Sequence, residues 1–191
     1  MFSESDIVIK TRQFVEDLMD KNLSEDLSYH NLQHTREVVE AALDIGENNE
    51  LTDDQMEMAV LSAWLHDTGY LNGSENHEQE SIDIAEKFLT KNNYPLEKLR
   101  VVLDAIGGTK VPQHPKNLVG KVLCDADLYH LSTDQFKVKS SLLKKEMEAR
   151  SDKPIGDEEW LEETPSFVKQ HRYFTNYGKF VLEPRKEKNL K

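Results

Sequence analysis

Seven histidines fall in this chain, and four of them sit where they could do chemistry. His30 and His34 lie four apart in YHNLQH, a spacing that on a helix stacks two side chains on one face. His66 and Asp67 close a mostly apolar run in AWLHDTGY. Asp125 and Asp127 stand inside the apolar stretch VLCDADLYHL. A buried carboxylate without a partner is costly, and one divalent cation would satisfy all these groups together. Imidazole nitrogen with carboxylate oxygen suits Zn, Mn, Fe, Co or Ni, and with fewer imidazoles Mg. Each piece also has a purely structural explanation: paired histidines on a helix surface, a His-Asp helix end acting as a cap, aspartates bonding local backbone. Spacing alone leaves both readings open.

Such side chains need rigid elements to hold them. The 191 residues carry 24 Lys and Arg against 36 Asp and Glu, a formal charge of −12 with a pI near 5.0. The length suits one domain with an adequate core. The acidity argues against nucleic acid or an anionic membrane as partner, since either favours a basic face. The single cysteine, Cys124, excludes an internal disulfide framework and a Cys-rich zinc site. The opening MFSESDIVIK lacks the basic and apolar regions of a signal peptide, so the expected location is the cytoplasm. Met58 to Leu65, the longest nearly apolar run, is broken by Ser62 and falls far short of the roughly 20 residues of a membrane span.

The periodicity is helical almost throughout. Ile7, Phe14, Val15 and Leu18 mark a first helix, and Val38, Val39, Ala42 and Ile45 the inner face of a second over about 30–48. Thr52-Asp53-Asp54-Gln55 reads as a capping box, opening a third helix to about Asp67, with Gly69 as its stop. Leu71 to Asn76 is a loop. Helices follow over about 77–92, from Pro95 to Gly107-Gly108, and over 118–131, with a loop at 109–115. Ser132-Thr133-Asp134-Gln135 reads as a second capping box, opening a helix to about Arg150. SDKPIGDEE is a loop, Trp160 to Val181 holds one or two more helices, and the charged tail PRKEKNLK is expected to fray. Trp160, Phe167, Tyr173 and Phe174 are expected in the core. No segment alternates like a strand, so the fold expected is all-α, one compact helical domain over 1–191. Its motif-bearing core is 29–132, with C-terminal helices over 133–182 and the tail over 183–191.

In this order the motifs resemble the H…HD…D signature of HD-domain metal-dependent phosphohydrolases, over about Tyr29 to Ser132. The HD-G form at His66-Asp67-Thr68-Gly69, HEQESIDIAEKFL and the DADL stretch share the likeness. The resemblance implies that His34, His66, Asp67 and Asp127 are the metal ligands. YHNLQH also resembles the YHN-x-x-H segment of cyclic nucleotide phosphodiesterases, which implies that His30 is a general acid for the leaving oxygen. His77 matches the position that binds a second ion, but the later histidine is missing: Gly108, Thr109 and Lys110 occupy its place, and His114 is the nearest substitute. One metal is therefore expected, with His77 contacting phosphate and Lys110 a further candidate for that contact. Asp125 is expected to orient a ligand from behind.

The implied reaction is hydrolysis of a phosphate ester by metal-activated water, with Asp67 helping to take the water proton and His30 protonating the leaving group. The implied partner is a small phosphorylated substrate such as a nucleotide. A second reading is a non-catalytic metal- or nucleotide-binding module acting as a sensor. HDTGYL lacks the HD-x-x-ED pattern of (p)ppGpp hydrolases, and the missing histidine argues against two-iron oxygenase chemistry. Met147 and Trp160 flank a charged loop that could border the pocket.

Overall fold

Apolar residues recur every three to four positions through most of the chain, and each such stretch folds as a helix. In the computed structural model, residues 2–22, 24, 26–72, 76–151 and 154–190 are described. In chain order the helices are α1 (Asp6–Asn22), α2 (Leu32–Asn48), α3 (Asp53–Leu65), α4 (His77–Lys91), α5 (Leu96–Gly108), α6 (Leu118–Asp127), α7 (Phe136–Ser151), α8 (Asp157–Gln170) and α9 (Glu183–Asn189). Tight 3-10 turns cover Thr68–Asn72 and Tyr129–Ser132, and a π turn covers Gly178–Leu182. No strand occurs among the described residues, and the protein is all-α. None of the described helices is long and apolar enough to cross a membrane.

α3 is the hub. Met56 and every residue from Met58 to Leu65 are buried, the mark of a helix enclosed on all sides. It packs against α1, α2, α5 and α6. Its start is the capping box that the sequence predicts: Thr52 Oγ1 accepts from the Gln55 N–H at 3.3 Å, and Gln55 Oε1 accepts from the Thr52 N–H at 3.0 Å. Its end delivers His66 and Asp67 into the middle of the molecule. Gly69 does not act as a left-handed stop. A Cβ there would strike the His77 carbonyl oxygen and lie 2.8 Å from Ser81 N, so glycine is needed for close approach. The Gly69 N–H donates to Ser81 Oγ at 2.9 Å, which holds the turn after Asp67 against the first turns of α4.

Three other expectations are corrected. His30 is not on a helix with His34. Asn31 is the N-cap, its Oδ1 accepting from the N–H groups of Gln33 and His34, so α2 begins after His30. The second capping box does not form. α6 ends at Asp127, the Ser132 hydroxyl donates to the Tyr129 carbonyl at 2.8 Å, and Gln135 N–H donates to Thr133 Oγ1 at 3.2 Å. These local bonds compete with helix continuation and break the expected 118–131 helix. The tail does not fray over its described length. Lys186 is buried, with its Nζ 2.8 Å from Glu183 Oε1 and donating to the His171 carbonyl at 2.6 Å, and the Asn189 amide donates to the carbonyls of Leu131 and Thr133. A lysine whose stem is covered and whose ammonium is paired can be buried.

Among the aromatics, Tyr173 is buried, Trp160 and Phe174 are half-buried, and Phe167 is exposed. Residues 109–115 form the expected loop. Parts of the loops expected at 71–76 and in SDKPIGDEE, residues 73–75 and 152–153, lie outside the described residues.

Candidate metal centre

Three helix ends meet here. The first turn of α2 supplies His34, the residues after α3 supply His66 and Asp67, and the last residue of α6 supplies Asp127. One donor atom each from His34, His66 and Asp127 lies within 4.8 Å of the others. Asp67 Oδ2 stands 3.2 Å from His34 Nε2 and 3.1 Å from His66 Nε2. Asp127 Oδ1 is 3.4 Å from His34 Nε2 and 3.7 Å from His66 Nε2. Donors bound at about 2.1 Å to one ion stand roughly 3 to 3.5 Å apart, so this spacing fits a single divalent cation.

The polar atoms support that fit. His34 Nε2, His66 Nε2 and Asp67 Oδ2 are buried and lack any hydrogen-bond partner, although they crowd together. Buried polar atoms are normally satisfied. The His66 Nδ1 lies 2.8 Å from the Ala63 carbonyl. A carbonyl only accepts, so Nδ1 carries the proton and the neutral ring keeps its Nε2 lone pair for a ligand role. Electrostatics point the same way. Burial works against charge on both imidazoles, yet the carboxylates of Asp67 and Asp127 beside them override it and hold both pKa values above the ordinary histidine range, His66 the further. The same partners hold both carboxyls below the usual carboxylate range against burial. The centre is built to hold positive charge.

Beside it stands a ring stack. Tyr70, from the turn after Asp67, lies between His30 at 3.9 Å and His77 at 3.8 Å, centroid to centroid. His30 is also edge-on to His34, with centroids 5.6 Å apart. His77 is outside the three-residue donor cluster. Burial pulls its pKa below the ordinary value, against the charges of Asp67 and Glu78.

Glu146 of α7 completes this side and is the residue that the sequence did not signal. It is the buried residue of α7. Its carboxylate accepts from the N–H groups of Tyr29 at 2.7 Å and His30 at 2.9 Å, and it is paired with His30 Nδ1. Burial raises its pKa, but the His30 ring and these N–H groups hold it below the usual carboxylate range. His30 Nδ1 is thus engaged, leaving Nε2 as the ring's free nitrogen.

Other candidates are placed elsewhere. Asp125, fully buried, accepts from the N–H of Phe174 at 2.7 Å, the N–H of Thr175 at 2.9 Å and the Thr175 hydroxyl at 2.7 Å. It anchors the segment between α8 and α9 rather than a ligand. His114 is exposed, with Nδ1 3.3 Å from the Pro112 carbonyl of its own loop. Lys110 is exposed and donates to Asn76 Oδ1 at 3.4 Å, next to His77. Met147 is exposed, and the Trp160 indole N–H donates to Ser140 Oγ at 3.0 Å. A groove of about 450 Å³ runs along α2 from Asp44 to His34 and Asp127. Glu37, Glu40, Asp44 and Asp134 make its wall acidic, and its one lysine, Lys139, is paired with Glu37.

An all-helical fold that converges two histidines and two aspartates on one point defines the class. The sequence model of the HD domain matches residues 31–132, over half of the chain, and the chain belongs to the HD domain family. Two solved structures share the fold. One is a predicted HD superfamily hydrolase from an uncultured Thermotogales bacterium, at 18% identity and a TM-score of 0.59, covering 85% of this chain and 89% of the other. The second is a protein from Lactobacillus plantarum, at 15% identity and a TM-score of 0.65, covering 97% of this chain and 92% of the other. No curated protein sequence matches this one.

Proposed function

We propose that this protein is a metal-dependent phosphohydrolase acting on a small phosphate ester, with nucleotides among the candidates. The observation that carries the reading is the buried, hydrogen-bond-free convergence of His34, His66 and Asp67 with Asp127, next to a histidine held by a buried glutamate. A divalent ion there would supply a Lewis acid for a phosphoryl oxygen and lower the pKa of a water molecule. The four ligand side chains would hold it. The fold family of the two solved structures, one of them described as a predicted hydrolase, supports the reading.

The chain's own groups divide the remaining work. Asp67, 3.1 to 3.2 Å from both imidazoles, would take a proton from water. His30, whose Nδ1 is taken by Glu146, would donate a proton from Nε2 to the departing oxygen. Glu146 fixes the ring's orientation through Nδ1, as a carboxylate does for a catalytic imidazole. His77, stacked on Tyr70, would contact phosphate. Glu146→Gln puts an amide N–H₂ among three donors. It is expected to lower kcat by about 10- to 100-fold, within the range of general acid catalysis, with metal content retained. Wild-type kcat in this variant would remove the proton-donor role of His30.

The deciding experiment assays purified protein on a nitrophenyl phosphate ester and a nucleotide panel, each with Mn, Mg, Ni and Co. Metal-dependent release of phosphate or nitrophenol is the expected result. Metal-loaded protein that binds nucleotides and hydrolyses none would favour a sensor module instead.

A further inference from the structure

The proposed ligand set is electrically closed. Two carboxylates and two neutral imidazoles balance the charge of a divalent ion, so the centre as a whole adds little long-range attraction for a phosphate dianion. Its surroundings are unfavourable on one side: Glu146 is buried beside His30, and the groove along α2 is walled by carboxylates whose only lysine is already paired. A further fixed cation would have to lie outside that groove.

Arg150 stands there. Its guanidinium carbon lies over the Tyr70 ring, 5.0 Å from the centroid, and that ring is the middle member of the His30–Tyr70–His77 stack. The side chain is exposed, and no described carboxylate lies within ion-pair distance of it. Arg150 follows Glu146 by four residues on α7, so both fall on one helix face. The helix that pairs with His30 therefore also sets, beside the ring stack, a guanidinium with no described carboxylate partner. Stacking on an aromatic face leaves the N–H fork available for two phosphate oxygens. This arrangement also gives α7 a reason to be held by polar contacts: its buried side chain is the glutamate that binds His30.

We propose that Arg150 binds the phosphate dianion of the substrate and so favours phosphomonoesters over phosphodiesters, which carry one charge. The assignment rests on the phosphohydrolase reading above. The test uses the full chain loaded with the divalent metal it carries on purification, as wild type, Arg150→Gln and Arg150→Lys. Arg150 is exposed, so all three should fold; melting curves check this. Inorganic phosphate is titrated calorimetrically, and p-nitrophenyl phosphate is compared with bis(p-nitrophenyl) phosphate. Loss of one charge-assisted bidentate contact should weaken phosphate binding in Arg150→Gln by about tenfold or more. Monoester KM should rise by a similar factor while kcat falls far less, the diester should lose much less, and lysine should restore part of the affinity. Equal phosphate binding by wild type and Arg150→Gln, or equal losses on both esters, would overturn the role of Arg150 and leave the phosphohydrolase reading standing. A wild type that neither binds phosphate nor cleaves any ester overturns both.

Discussion

Asp67→Asn protein is expected to lose its bound divalent metal and at least about a thousandfold of its turnover, near 4 kcal/mol of transition-state stabilisation. The substitution keeps size and shape. It removes the charge whose Oδ2 stands at 3.1 to 3.2 Å from both imidazoles and has no other partner. His66→Ala should do the same by deleting a donor whose Nδ1 is held by Ala63. Metal analysis with phosphatase assays on the same preparations reads both quantities, and circular dichroism checks the fold. Full metal content with full activity in either variant would end the metal-centre reading. The pH dependence has a fixed sign. His34 and His66 have raised pKa values, so protons compete with metal for their Nε2 atoms. Metal affinity should fall as pH falls through and below neutrality, with protons released on binding. Calorimetry in buffers of different ionisation enthalpy measures that release.

Asp125→Ala is expected to destabilise the fold by about 3 kcal/mol, because it leaves the buried Thr175 N–H and hydroxyl and the half-buried Phe174 N–H without their acceptor, at roughly 1 to 3 kcal/mol per buried group. For a chain of this size that is a fall in Tm of about 6 to 12 °C. The effect should centre on the C-terminal part: the amides of Phe174 and Thr175 exchange faster, since both donate to this carboxylate. Gly178 belongs to the same anchor, as a Cβ there would run into Asp125 Oδ2. Asp125→Asn keeps one acceptor and should lose less. In both variants the folded protein should bind metal within a few-fold of wild type. Loss of an orienting partner typically costs 10- to 100-fold in affinity; a loss of that size would restore to Asp125 the ligand-orienting role expected from the sequence.

Much of the fold was legible because helix periodicity is a local property. The apolar spacing of α2 and the Thr52–Gln55 box give elements close to those found. Local signals misled where a side chain had a competing partner. Ser132 bonds the Tyr129 carbonyl instead of capping a helix, Gly69 answers the close approach of α4, and the tail is ordered through Lys186, which finds Glu183 and the His171 carbonyl. None of these partners is visible in a sequence window.

The sequence by itself determined the all-α class, because helix periodicity can be read locally, and its resemblance to HD-domain proteins singled out His34, His66, Asp67 and Asp127, the four residues that converge at the candidate metal centre. Only the tertiary structure decided what surrounds that centre. Glu146 lies 116 residues from His30 and Arg150 lies 80 residues from Tyr70, and both sit on a helix with little apolar periodicity. Contacts across such separations depend on how α7 docks on the core, a sum of many small packing and polar terms that no local pattern encodes.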